Sequence, residues 1–171
     1  MEKKNIRDCD EFDAELLIKI YPWLEERCKR KDMNIQKIAC AYSNTSYGAN
    51  EIYEQILDEI ELKNQMINLK LVIDEILTML KPKNLKWALV MMDYRGLSKG
   101  ELDTLFDEKE RTGFRRIETL FMTMAYLINK NDEHKSKVVN FIHSNYWAET
   151  LLEDITERRL SFRRDTKEEQ E

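Results

Sequence analysis

Between Ala49 and Leu80 apolar residues recur at spacings that are mostly three, four and seven, and this periodicity constrains the fold more than any other feature of the chain. Ile52, Ile56, Ile60, Met66, Ile67, Ile73, Ile76, Leu77 and Leu80 form the pattern. Such spacing defines one face of an α-helix. A helix of that span is about 45 Å long at 1.5 Å per residue. Lys63 and Lys70 interrupt the stripe, so it does not read as an uninterrupted coiled coil. Two readings stay open: a long core helix within a bundle, or a dimer seam concentrated at Ile52–Ile60 or Ile73–Leu80.

Helical patterning extends to the rest of the chain. Only 4 of the 171 residues are Gly and 2 are Pro, too few for a turn-rich all-β fold or a glycine cradle for nucleotide phosphates. Charged residues make up 36%, against roughly 25% in ordinary soluble domains. Together with abundant Leu, Ile, Lys and Glu, that composition specifies amphipathic helices, and the expected fold class is all-α. Asp10 is placed to cap a first helix carrying Leu16, Leu17, Ile20 and Leu24. Pro22 should kink or split it. The basic cluster Arg27, Lys29, Arg30 and Lys31 would then suit a helix C-terminus. A short helix is expected over 34–42, then a loop at Ser43–Asn50.

Lys81-Pro82-Lys83-Asn84 is a breaker and the expected main boundary. The resulting organisation is an N-terminal helical interaction region at 1–80, a helix-turn-helix region at 81–130, a C-terminal helix within 131–160 and a disordered tail at 161–171. Within the middle region helices are expected over 85–94, 97–106 and 110–128, with a loop at 129–132. A further helix is expected over 133–159. No apolar run approaches the ~20 residues of a membrane span. The N-terminus is charged throughout, so no secretory signal is read there and a cytoplasmic location is expected. Cys9, Cys28 and Cys40 are odd in number and include no CxxC pair, which speaks against a disulfide framework or a zinc site.

The net charge of −5 is unevenly spread. The flanking regions are acidic, and 81–130 alone is basic, so an anionic partner should dock there. In that segment Arg95-Gly96 can end one helix with a left-handed cap. Ser98 and Glu101 form a capping box for the next. Two short helices and a tight turn match helix-turn-helix spacing. On a helical wheel of the last helix, Ile117, Phe121, Met124 and Ile128 fall within about 60° of arc. Thr112, Arg115, Arg116, Thr119 and Thr123 lie on the opposite side, with no acid among them. Guanidinium groups bond phosphates or read guanine edges, and threonine hydroxyls can bond phosphate oxygens. The competing reading is an ordinary bundle helix with a basic outer face.

The segment LSKGELDTLFDEKERTGFRRIETL resembles the end of region 4 of bacterial sigma-70-type RNA polymerase factors and of related phage regulators of late transcription. Leu97-Ser98, Glu101-Leu102, Thr112 and Arg116-Ile117 carry the likeness in an unbroken register, and it covers about 45 residues including the preceding NLKWALVMMDYRG. Three positions depart from the family: Asp103 for a small residue, Asp107 for Gly, and Gly113 for an aliphatic. Nothing upstream resembles the core-binding region 2 of these factors, which implies a smaller phage or mobile-element regulator. The resemblance implies sequence-specific binding of double-stranded DNA in transcription control. Arg111, Thr112, Arg115, Arg116 and Thr119 would enter or flank the major groove, and Lys99 and Lys109 would contact phosphates. The acidic N-terminal half would mediate a homodimer or contact RNA polymerase.

His134 and His143 are nine residues apart and share no metal-ligand spacing. HExxH does not occur, and pairs such as Asp58/Glu59 and Asp74/Glu75 fit a solvated helix face. No enzyme activity, cofactor or metal is expected. Val138, Phe141, Ile142, Trp147, Leu151 and Ile155 read as core. The alternative functions are a helical scaffold without nucleic-acid binding and a phage DNA-packaging subunit.

Overall fold

A computed structural model of the chain describes residues 5–42, 48–93 and 110–168. Among these residues there are six helices and no strand: α1 (Glu11–Tyr42), α2 (Ala49–Met79), α3 (Pro82–Asp93), α4 (Glu110–Asn129), α5 (Asp132–Ser144) and α6 (Tyr146–Glu168). The protein is all-α, with two N-terminal helices of about thirty residues each.

Asp10 caps α1 as its position predicts. Its carboxylate accepts from the backbone N–H groups of Phe12 and Asp13, each at 3.0 Å. Asp13 returns the bond, accepting from the Asp10 N–H at 2.9 Å. This is a reciprocal capping box with Asp in the usual Glu position. Arg7 then grips Asp13 through both guanidinium nitrogens, at 2.7 and 2.9 Å. Asn129, at the end of α4, straps the same entry segment by accepting from the Cys9 N–H at 2.7 Å and donating to the Cys9 carbonyl at 2.8 Å.

Pro22 does not split α1, contrary to the sequence expectation, and the short helix expected over 34–42 is the far end of this same element. The missing Pro22 N–H forgoes one helix bond to the Ile18 carbonyl. Burial of Ile18, Ile20 and Leu24 on either side of it offsets that loss. The basic cluster therefore lies mid-helix, where acids answer it. Lys29 pairs with Glu25 and Arg30 with Glu26, one turn away. Lys31 crosses to Glu59 of α2 at 3.1 Å, and Arg27 stacks over the Trp147 ring at 4.0 Å.

α1 and α2 run antiparallel, as the pairs Lys31–Glu59, Asp32–Lys63 and Tyr21–Asp74 require. Only part of this helix pair belongs to the body of the protein. No described residue of α1 after Leu24, and none of α2 before Met66, is buried. These segments form a two-helix arm about 25 Å long. Below it, Leu16, Leu17, Ile20 and Leu24 of α1 meet Leu69, Ile73, Ile76 and Leu80 of α2 in the core. The Ile73–Leu80 segment thus packs inside its own chain and cannot serve as a dimer seam.

Pro82 opens α3 as its first residue, a position where the absent N–H costs nothing. Trp87, Ala88, Leu120, Phe121, Met124, Ile128, Val138, Phe141, Ile142 and Ile155 join the same core. Helices from both sides of the Lys81-Pro82 turn therefore share one apolar interior. The single helix expected over 133–159 is two helices. Asn145 is extended (φ −124°, ψ 101°) and buried, and its amide donates to the Phe141 carbonyl at 2.8 Å. That bond satisfies an α5 carbonyl as the helix ends and lets α6 start at a new angle. α6 itself continues to Glu168, so the residues expected as a tail from Ser161 are helical that far.

Candidate nucleic-acid interface

α4 separates its faces as the wheel requires. Leu120, Phe121, Met124, Ala125 and Ile128 are buried. Ile117 is only half-buried, packed at the edge of the core. Arg115, Thr119, Met122, Tyr126 and Lys130 are exposed in one row along the outer side. Arg116 is half-exposed on one flank of that row, and Thr123 likewise.

Two features of this face were not read from sequence. Met122 and Tyr126 are both more than half exposed and occupy the outer side of its second half. They fall beside the threonines on the same wheel, so the signal was present. Lys130, just beyond the helix end, lies over the Tyr126 ring at 4.5 Å. The row is thus polar and basic at its first end, and aromatic with a cation at the other.

The threonines are arranged differently from the expectation. The Thr119 hydroxyl donates to the Arg115 carbonyl at 2.8 Å, and that of Thr123 to the Thr119 carbonyl at 2.7 Å. A hydroxyl has one proton to give. In these rotamers each hydroxyl proton is committed to the helix, and donating to a phosphate oxygen requires giving up that backbone bond.

Glu118 is a carboxylate of α4 beside the row, and α6 engages it. Arg159 donates to it at 3.3 Å and Arg163 approaches it at 3.6 Å. The same two arginines bind Glu11 of α1, and Arg159 also approaches Glu15 at 3.9 Å. Arg159 further sits over the Phe12 and Phe121 rings. This network locks α6 to α1 and α4 on the side away from Arg115. The last helix therefore leaves Arg115 open to solvent.

Lys99 and Lys109 lie outside the described residues, as do the Ser98–Glu101 capping box, Asp103 and Asp107. Arg111, Thr112 and Gly113 belong to the first turn of α4, but their side chains are likewise outside the described set. The structure consequently places Arg115, Arg116 and Thr119 on one helix end. Among the described residues no cluster of three His, Cys, Asp or Glu side chains converges as a metal-ligand set, and no helix is long and apolar enough to cross a membrane. His134 is buried, with its Nε2 2.6 Å from a Glu75 carboxylate oxygen on α2. Cys9 is buried, Cys28 half-buried and Cys40 exposed, with no disulfide between them. Among the described residues these features define an all-α protein with a row of exposed side chains on the outer side of α4 that begins at Arg115 and ends at Lys130. Comparisons with protein-family profiles, curated proteins and solved structures find no match to this chain.

Proposed function

We propose that the chain is a sequence-specific double-stranded DNA-binding protein of transcription control, of the sigma region 4-like kind, with α4 as its recognition helix. One observation carries this reading: Arg115 stands exposed on the outer face of α4 while the adjacent carboxylate of Glu118 is neutralised by Arg159 and Arg163. An exposed guanidinium on a helix edge cleared of acids is what a groove lined by phosphates and base edges attracts. Arg116 and Lys130 extend the positive row on either side. The acidic N-terminal half serves as the protein-binding part, with RNA polymerase as its proposed target.

The test is selection of binding sites from random oligonucleotides by the purified protein. A defined motif should emerge. Arg115→Ala with Arg116→Ala should then weaken binding to it by about 1–3 kcal/mol per lost contact, with helical circular dichroism unchanged. Absence of any selected motif, or full affinity in the double variant, overturns the reading. The second reading is a helical interaction protein. It is favoured by the exposure of Met122 and Tyr126 on the same face, and it predicts that those two residues, not the arginines, govern binding of a protein partner.

A further inference from the structure

α2 is apolar on two opposite faces. One face, centred on Met66, Leu69, Ile73, Ile76 and Leu80, is buried in the body. The other carries Tyr53, Leu57, Ile60, Ile67 and Leu71, which are between 38% and 64% exposed. These five, with Asn64 between Ile60 and Ile67, advance by four and three residues in strict alternation. That is a heptad register, with Leu57, Asn64 and Leu71 at a and Tyr53, Ile60 and Ile67 at d. The exposed row is about 27 Å long and runs from the arm into the body. The sequence reading missed it because the interrupted stripe it followed mixed residues of both faces.

The flanks of this row are charged with opposite signs. Glu54, Glu61, Asn68 and Glu75 stand one residue after successive d positions, the last of which is Asp74, and form one edge. Lys63 and Lys70 precede a positions and form the other. Contacts within the chain hold the basic edge in place: Lys63 donates to Asp32, and Lys70 lies 5.9 Å from the Tyr21 ring centre. Glu75, which also meets His134, keeps 60% of its side chain exposed.

We infer that the outer face of α2 is a parallel, two-stranded coiled-coil seam whose occupant is α2 of a second copy of this chain. A two-fold parallel pair sets the lysine-bearing edge of each copy against the carboxylate-bearing edge of the other, where Lys70 of one faces Glu75 of the other and Lys63 faces Asn68. An antiparallel pair would set lysine against lysine and glutamate against glutamate. The Lys70–Glu75 pair, and the like-charge contacts that an antiparallel pair would make, therefore favour a second copy in parallel orientation. Asn64 is the one polar member of the row, and a single Asn at an a position hydrogen-bonds its counterpart across a parallel dimer and fixes register. The seam also covers large apolar side chains that would otherwise stand in water. It goes beyond the DNA-binding proposal and does not depend on it, since mass and DNA selection are read separately.

Sedimentation equilibrium of the full chain at about 50 µM, some way above the micromolar Kd that ordinary helical associations reach, tests the inference. A dimer mass is expected. Leu57→Asp with Leu71→Asp should sediment as a monomer with its helical circular dichroism retained, because both positions are exposed within one chain. Tyr53→Cys under mild oxidation should give an interchain disulfide above the background set by Cys9, Cys28 and Cys40. In a parallel pair position 53 meets itself, whereas in an antiparallel pair the two copies lie at opposite ends. A monomeric wild type, as expected if another protein's helix is the true occupant, overturns the inference. So does a double variant that stays dimeric, or a dimer in which Tyr53→Cys does not cross-link.

Discussion

Cys9 lies beneath the end of α4, with its backbone clamped at both polar groups by Asn129. Burial pushes its thiol up to about 12, and the Asp13 carboxylate adds to the rise, against the partial relief from Arg7. Tyr21, burdened first by burial and then by its hydrogen bond to Asp74, is likewise pushed up to about 12. Both shifts act in the same direction on stability. Well below pH 9 the two groups are protonated in folded and unfolded chains alike, and they contribute no pH dependence. Above it the unfolded chain releases the Cys9 proton that the folded chain retains, so unfolding gains about 1.4 kcal/mol per pH unit until the folded thiol also ionises. Urea midpoints should therefore fall from pH 9 toward pH 12. Cys9→Ala should show a shallower fall over that range, with the Tyr21 part remaining. Parallel curves for the two proteins would show that Cys9 ionises as readily folded as unfolded.

The helices differ in how much of their length is secured by burial, and α1 and α2 show this within single elements. Their shared arm is held by half-buried apolar residues, notably Ile35, Ile38, Ile52 and Ile56, and by the Lys31–Glu59 and Lys63–Asp32 pairs. Both pairs keep contact with solvent, and surface ion pairs contribute ~0–1 kcal/mol each. In the monomeric Leu57→Asp, Leu71→Asp variant, backbone amides of 25–41 and 50–65 should exchange with solvent much faster than those of 66–79, because local opening of the arm exposes little apolar surface. Equal protection along α2 would mean that the arm is as firmly seated as the body. The elements themselves were largely legible in the sequence. The cap at Asp10, the extent of α2, the start of α4 and its buried row at Phe121, Met124 and Ile128 all follow from local pattern. The boundaries at Pro22, at Asn145 and at the expected tail from Ser161 did not. Pro22 carries a strong local signal for a break, and it was overridden by burial of Ile18 and Ile20 around it. Asn145 carries a weak local signal, yet it ends α5 through a buried side-chain bond that depends on tertiary placement. At the candidate interface, the wheel placed Arg115 and Thr119 outward, but periodicity cannot show that a threonine hydroxyl turns back to its own helix.

At the scale of the whole molecule, the composition shift at Lys81-Pro82 suggests two halves, whereas the packing joins them. α1 lies against α2, α3, α4 and α6, so the first helix is the centre around which the C-terminal elements assemble. The buried face of α1 and α2, with Leu16, Leu17, Ile20, Ile73 and Ile76, is completed by Trp87, Leu120, Phe121 and Val138 from beyond the turn. A segment ending near residue 80 would leave that face in water, at a cost of about 1.5–3 kcal/mol for each large side chain uncovered. Neither half should then fold alone, and the chain should melt as one unit. Its tryptophans make the point measurable, because Trp23 is on α1, Trp87 on α3 and Trp147 on α6. Tryptophan emission and far-ultraviolet circular dichroism should trace coincident unfolding curves with a single midpoint. Leu120→Asp, which puts an unpaired charge into the shared interior, should lower stability by more than about 4 kcal/mol and shift both signals together. Two separated transitions, or a variant in which Trp23 on α1 keeps its folded emission after the C-terminal helices have melted, would restore the boundary at Lys81 and make the DNA-binding part a domain of its own.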